Sequence, residues 1–138
     1  MDREVIEQKV ESLRRCLKRV SDKCPSSPEK LVQDIDAQDI VALNLTRAVQ
    51  LCVDIATSVI SASDISPPDT MGRAFDCFAE IGYIDRELAT RLKKAVGFRN
   101  IVIHNYDVVD WHIVHEIAKR HLDDFSDFAK AVIEKTQE

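Results

Sequence analysis

Two long apolar stripes, neither interrupted by glycine or proline, constrain this chain more than any other feature. In residues 3 to 23, Ile6, Val10, Leu13, Leu17 and Val20 are spaced four, three, four and three apart. That spacing places them on one face of a helix. Between Asp36 and Ala62, Val41, Leu45, Ala48, Cys52, Ile55 and Val59 repeat the pattern. Side chains of a strand alternate between faces, so neither segment would keep its apolar set together in a sheet. Each reads as a long helix that must bury its stripe against a neighbour.

The breaks between stripes set the topology. CPSSPEK ends the first helix, because Pro25 and Pro28 cannot continue a helical ladder. SASDISPPD is the next break, and Asp69 or Thr70 can cap the helix after it. This shorter third helix carries Met71, Phe75 and Phe78 and stops at Gly82. Asp85 can cap a fourth helix running to about residue 104. After the turn NYDVVD, Asp110 can cap a fifth, with Val114, Ile117, His121, Phe125, Phe128 and Val132 on one face. No segment alternates as a strand would. The expected fold is all-α, an antiparallel up-and-down bundle of long helices with a shorter additional helix. It forms a single domain over residues 1–138, long enough for a core without staples.

Composition narrows the function classes. With 45% hydrophobic and 31% charged residues the balance is that of a soluble globular protein. No stretch approaches the apolar run needed to span a bilayer, and the charged N-terminus lacks a signal-peptide core, so a cytoplasmic protein without a membrane role is expected. Cys16, Cys24, Cys52 and Cys77 are scattered with no CxxC pair, which reads as reduced, buried thiols rather than a zinc site or disulfide frame. The formal charge of −5 gives no global argument for nucleic acid, so any such contact must be local. Residues 86 to 99 do hold Arg86, Arg91, Lys93, Lys94 and Arg99 against Glu87. The first helix holds Arg14, Arg15, Lys18, Arg19 and Lys23 against Asp22 in the same stretch. Such runs are usually solvated helix faces.

The fourth helix breaks its own pattern. Its stripe runs Leu88, Leu92, Ala95, then Arg99 and Val102, within the segment that ends VGFRNIVIHNYDVVD. An unpaired guanidinium in a dry core costs several kcal/mol, so the face must open there onto a cleft, a partner or a carboxylate. Asn100 and His104 lie about 40° apart on the helix, and Arg99 and His104 about 140° apart. The arginine is long enough for the two headgroups to converge as the helix ends. Gly97 costs a helix about 1 kcal/mol relative to alanine and would let another backbone approach closely. Singly, each residue has an ordinary reading: a dipole-complementing Arg, a capping His, a half-buried Tyr106. Together in one short segment they mark a site.

Other candidates are weaker. His112, His115 and His121 lack the spacing of helical metal ligands, so no metal is expected. Trp111 should pack over the loop after Tyr106. Asp39, Asn44 and Arg47, polar among apolar residues of the second helix, can pair with Arg99 or line a cleft beside it, and hydrogen bonding on the helix surface explains them equally well. There is no Gly-rich phosphate loop and no Ser-His-Asp pattern.

RNIVIHNY is an Arg-x4-His-x-Tyr motif with Asn directly after the Arg. With QDIVALNLTRAVQLCVDIA (residues 38 to 56) and the closing WHIVHEIAKRHLDDF, it resembles the HEPN superfamily, and specifically the HepT-like toxins. One departure is Gln50, where the resemblance leads one to expect an acid. The resemblance implies a metal-independent endoribonuclease toxin that needs no cofactor. Its partners would be an RNA substrate, a second copy of itself in a homodimer, and an MNT-type nucleotidyltransferase antitoxin that transfers AMP to Tyr106. His104 then acts in proton transfer and Arg99 holds phosphate, with Asn100, Asp39, Asn44 and Arg47 in support. One chain supplies one such His, whereas the reaction uses an acid and a base, so a two-fold cleft fits the chemistry. The alternative is a non-catalytic HEPN module that binds a nucleotide or a partner enzyme.

Overall fold

The computed structural model describes residues 3–136, and every regular element among them is helical. In chain order these are α1 (Arg3–Lys23), α2 (Pro28–Gln33), α3 (Ile35–Ser61), α4 (Met71–Glu80), α5 (Arg86–His104), a 3-10 turn (Tyr106–Val108), α6 (Trp111–Arg120) and α7 (Leu122–Thr136). The caps follow side-chain chemistry. Thr70, Asp85 and Asp110 each accept a backbone N–H of the helix they open, from Arg73, Leu88 and His112. Gly82, at φ +83°, supplies the left-handed residue after α4.

Two expectations are corrected. Pro28, expected only as part of the break after α1, opens α2, because at the first helical position its missing N–H is not needed. Ser27 caps that turn by accepting from the Lys30 N–H at 3.2 Å. Asp34 then ends α2 and caps α3, accepting from the Ala37 N–H at 3.0 Å. The expected fifth helix is two helices, broken at His121, whose backbone (φ −124°, ψ 10°) leaves the helical region. The bend keeps α6 against α2 while α7 turns onto α1 and α5. His121 accordingly lies at the exposed corner and not on the apolar face.

The centre of the bundle is α3, packed against α1, α4, α5, α6 and α7. It also corrects the reading of membrane runs: a window of α3 reaches a mean hydropathy of 1.4, enough by length and composition to cross a bilayer. Here Val41, Leu45, Cys52, Ile55, Val59 and their neighbours are buried as the core. Phe78 stacks on Phe128 at 5.4 Å between ring centroids, and Phe75 meets the same ring edge-on at 5.6 Å, joining α4 to α7. All four cysteines are buried, including Cys24, which lies beyond the apolar stripes.

A buried carboxylate clasps α4 to α5. Asp76 accepts from Lys93 Nζ at 2.9 Å and Arg86 Nη1 at 2.8 Å, with Arg73 at 3.6 Å. The Lys93 hydrogen bond, with the charges of all three cations, holds its carboxyl below the usual range despite burial.

Candidate active site at the end of α5

Helix α5 runs antiparallel to α3, so Arg99 comes level with Gln50, and Tyr106, just past the helix end, with Asp39. The interruption of the α5 stripe is resolved by an amide. Arg99 Nη2 donates to Gln50 Oε1 at 3.1 Å, and Gln50 Nε2 donates to Asp54 Oδ1 at 2.8 Å. Glutamine satisfies both neighbours at once, accepting from the cation and donating to the carboxylate. A carboxylate at this position could do only the first. Arg99 Nη1 donates to Asn100 Oδ1 at 3.0 Å, which leaves the Asn100 amide N–H groups free to donate. Arg99 Nε is buried without an acceptor among the described residues, an unmet donor of the kind found at functional sites.

His104 is the last residue of α5 and is exposed. The Asn105 N–H caps the helix on Ile101 O at 2.9 Å, so the imidazole is not needed for capping. It makes no hydrogen bond or ion pair among the described residues, and the Arg99 headgroup turns to Gln50 and Asn100 rather than to it. Tyr106 opens the 3-10 turn, and its hydroxyl donates to Asp39 Oδ1 at 2.6 Å. Trp111 meets its ring edge-on at 5.7 Å, as its place at the start of α6 leads one to expect. Burial, then the hydrogen bond and charge of Asp39, push the phenol above its ordinary range.

The remaining sequence candidates separate. Asn44 is buried and donates to Ile40 O at 2.8 Å within its own helix. Arg47 is exposed and lines a groove between α1 and α3. Gln50 and Asp54 are the residues that sequence reasoning did not assign to the site. Counting from Asp39 would have found them, since eleven and fifteen residues on they lie about 20° and 60° round the same helix. Half of the ten basic residues of the two runs are paired with acids elsewhere: Arg86 and Lys93 with Asp76, Arg91 with Asp124 at 2.8 Å, Lys18 with Asp22 at 3.0 Å, Arg14 with Glu11 at 3.3 Å. His115 bonds the Pro25 carbonyl at 2.9 Å and is a structural tie. Among the described residues no three His, Cys, Asp or Glu side chains group as metal ligands.

Around the site, Leu43, Ile101, Ile103 and Val108 are exposed apolar side chains. A Cβ built on Gly97 meets nothing within 4 Å among the described residues, so no backbone among them makes use of the missing side chain.

The family model for HepT-like ribonucleases matches residues 6–132. The chain belongs to the HepT-like ribonuclease family. This HepT-like chain is 32% identical to the mRNA nuclease HepT of Shewanella oneidensis over 129 residues, 94% of its own length and 96% of the relative's. It is 41% identical to a putative RNase of Archaeoglobus fulgidus over 70 residues, 44% of this chain and 53% of that protein. Among solved structures it is similar to a tri-AMPylated HEPN toxin of Shewanella oneidensis in complex with an MNT antitoxin. The TM-score is 0.88 at 32% identity, covering 98% of this chain and 99% of that one. The HepT-like bundle therefore has the HEPN architecture that the motif implied.

Proposed function

We propose that this protein is a metal-independent endoribonuclease toxin that cleaves RNA at a two-fold cleft and is silenced by AMP transfer to Tyr106. The observation that carries the reading is an unencumbered imidazole, His104, one helical turn from the Arg99–Asn100 pair on a chain of a ribonuclease family. In the reaction the ribose 2′-oxygen attacks the adjacent phosphorus and the bond to the 5′-oxygen breaks, leaving a 2′,3′-cyclic phosphate. His104 of one protomer takes the 2′-hydroxyl proton, and the same residue of a second copy protonates the leaving 5′-oxygen. Arg99 and the free Asn100 amide hold the phosphate oxygens as negative charge grows on them. Gln50 keeps Arg99 at the mouth of the site without quenching its charge.

The homodimer follows from the same chemistry. A second copy would cover the exposed apolar side chains Leu43, Ile101, Ile103 and Val108, and Gly97 would give room for its backbone. Tyr106 is the AMP acceptor. Its Oη attacks the α-phosphorus of ATP bound by an MNT-type nucleotidyltransferase, pyrophosphate leaves, and Asp39 stands beside the phenolic proton. The added nucleotide brings bulk and negative charge to the cleft edge, which repels RNA phosphate.

Total RNA incubated with the purified protein in EDTA tests the reading. Cleavage ending in a 2′,3′-cyclic phosphate or its opened product is expected, and His104→Ala is expected to abolish it with an unchanged helical spectrum. Full cleavage by His104→Ala would remove the histidine from the mechanism. Intact RNA with the wild-type chain would favour the alternative, a nucleotide- or partner-binding HEPN module.

A further inference from the structure

A groove of about 600 Å³ lies between α1 and α3. Arg15 and Arg19, one turn apart on α1, face Arg47 on α3 across it, with Cys16 between them. The charges of Arg47 and Arg15 both favour the Cys16 thiolate against the larger opposing effect of burial. Elsewhere the arginines among the described residues each have an acceptor: Arg3 with Glu7, Arg14 with Glu11, Arg91 with Asp124, Arg99 with Gln50, Arg120 with Glu116. In the groove Arg15 has only the Ser12 hydroxyl, at 3.2 Å, and Arg19 and Arg47 have no partner among the described residues. The one acid lining it, Asp54, sits at its far end and is held by Gln50 and, at 4.0 Å, by Lys9. Three mutually repelling guanidinium groups gathered in a concavity of an acidic protein fit a polyanion that supplies the missing charge.

We propose that this groove binds a single RNA strand through its phosphates and leads it to the α5 site. The inference rests on the ribonuclease reading and adds the path of the substrate. Residues at i and i+4 are about 6 Å apart along a helix, close to the spacing of successive phosphates in an extended strand, and each guanidinium can hold two phosphate oxygens. The groove is joined to the site by Gln50, which lines it and whose Oε1 accepts from Arg99. RNA is favoured over an acidic protein segment because the chain belongs to a ribonuclease family and the groove adjoins the α5 site through Gln50.

The test is fluorescence anisotropy with a labelled single-stranded RNA, 2′-O-methylated throughout so that it cannot be cleaved, over a range of salt. The full-length protein is compared with the triple variant Arg15→Ala/Arg19→Ala/Arg47→Ala and with Arg120→Ala, which lies in α6. The triple variant is expected to bind at least about tenfold more weakly, and its slope of log affinity against log salt is expected to fall by about 2. The corresponding triple lysine variant should keep the wild-type slope, and Arg120→Ala should match wild type throughout. Thermal melting of each variant separates lost binding from lost fold. Wild-type affinity and slope in a folded triple alanine variant overturn the groove assignment while leaving the ribonuclease reading intact. So does a triple variant that keeps RNA but no longer binds an MNT-type nucleotidyltransferase. A wild-type protein that neither binds nor cleaves RNA overturns both.

Discussion

The Tyr106 hydroxyl lies 2.6 Å from Asp39 Oδ1, tying the turn after α5 to the first turns of α3 across 67 positions of sequence. This bond fixes the phenol beside the helix end that carries His104, and it keeps the phenol protonated. Asp39→Asn is therefore expected to bring the Tyr106 titration part of the way back towards its ordinary range, since burial, the larger cause, remains. Ultraviolet titration against Tyr106→Phe, which leaves Tyr83 as the reference, measures it. The folded-state value is raised, so the stability it confers is complete below about pH 10 and is lost as pH rises through the raised value. Denaturation curves of Asp39→Asn should accordingly fall less steeply than wild type in alkali.

Gln50 joins Arg99 to Asp54, and removing it leaves both with less. Gln50→Ala is expected to cost about 1 kcal/mol of stability. It should also reduce RNA cleavage about tenfold, as Arg99 loses its orientation. Urea denaturation and a cleavage time course report the two effects. Unchanged cleavage would show that Gln50 does not position the guanidinium.

Asp76 concentrates three cations at the α4–α5 junction. Asp76→Asn should destabilise the bundle by about 2 kcal/mol, because a charge-assisted acceptor is lost where the cations still converge. Its folded-state value is lowered, so its stabilising contribution is present above the ordinary carboxylate range and is lost as pH falls through the lowered value. The difference between wild type and variant should therefore close in acid, which melting curves from neutral to low pH will show.

Gly97 separates the isolated chain from the assembled one. Within one protomer a methyl group there meets open space, so Gly97→Ala should favour the folded monomer by about 1 kcal/mol through helix propensity. If a partner backbone approaches at this point, the same change should weaken the dimer. Sedimentation over a range of concentrations decides it, and a dimer unaffected by Gly97→Ala places the two-fold contact elsewhere.

Much of the bundle was legible because it depends on periodicity and on local capping. The stripes of α1 and α3 and the caps at Thr70, Asp85 and Asp110 are fixed within a few residues of chain, where side-chain spacing and backbone N–H demand act directly. The break at His121 was not legible, since the apolar pattern continues through it and only the different packing of α6 and α7 requires the bend. Pro28 misled for the opposite reason, because a local rule that ends one helix also begins the next.

At the site, residue order alone dictated that Arg99 falls on an apolar stripe and must be met by something polar, because the cost of burying a bare cation is independent of fold. It also placed Asn100, His104 and Tyr106 at the same helix end. Helix packing then selected the Gln50 amide as the partner of Arg99, set Asp39 against Tyr106, and put Arg47 in the groove with Arg15 and Arg19. Those pairings join residues far apart in sequence, and their geometry exists only once α1 and α5 have both packed on α3.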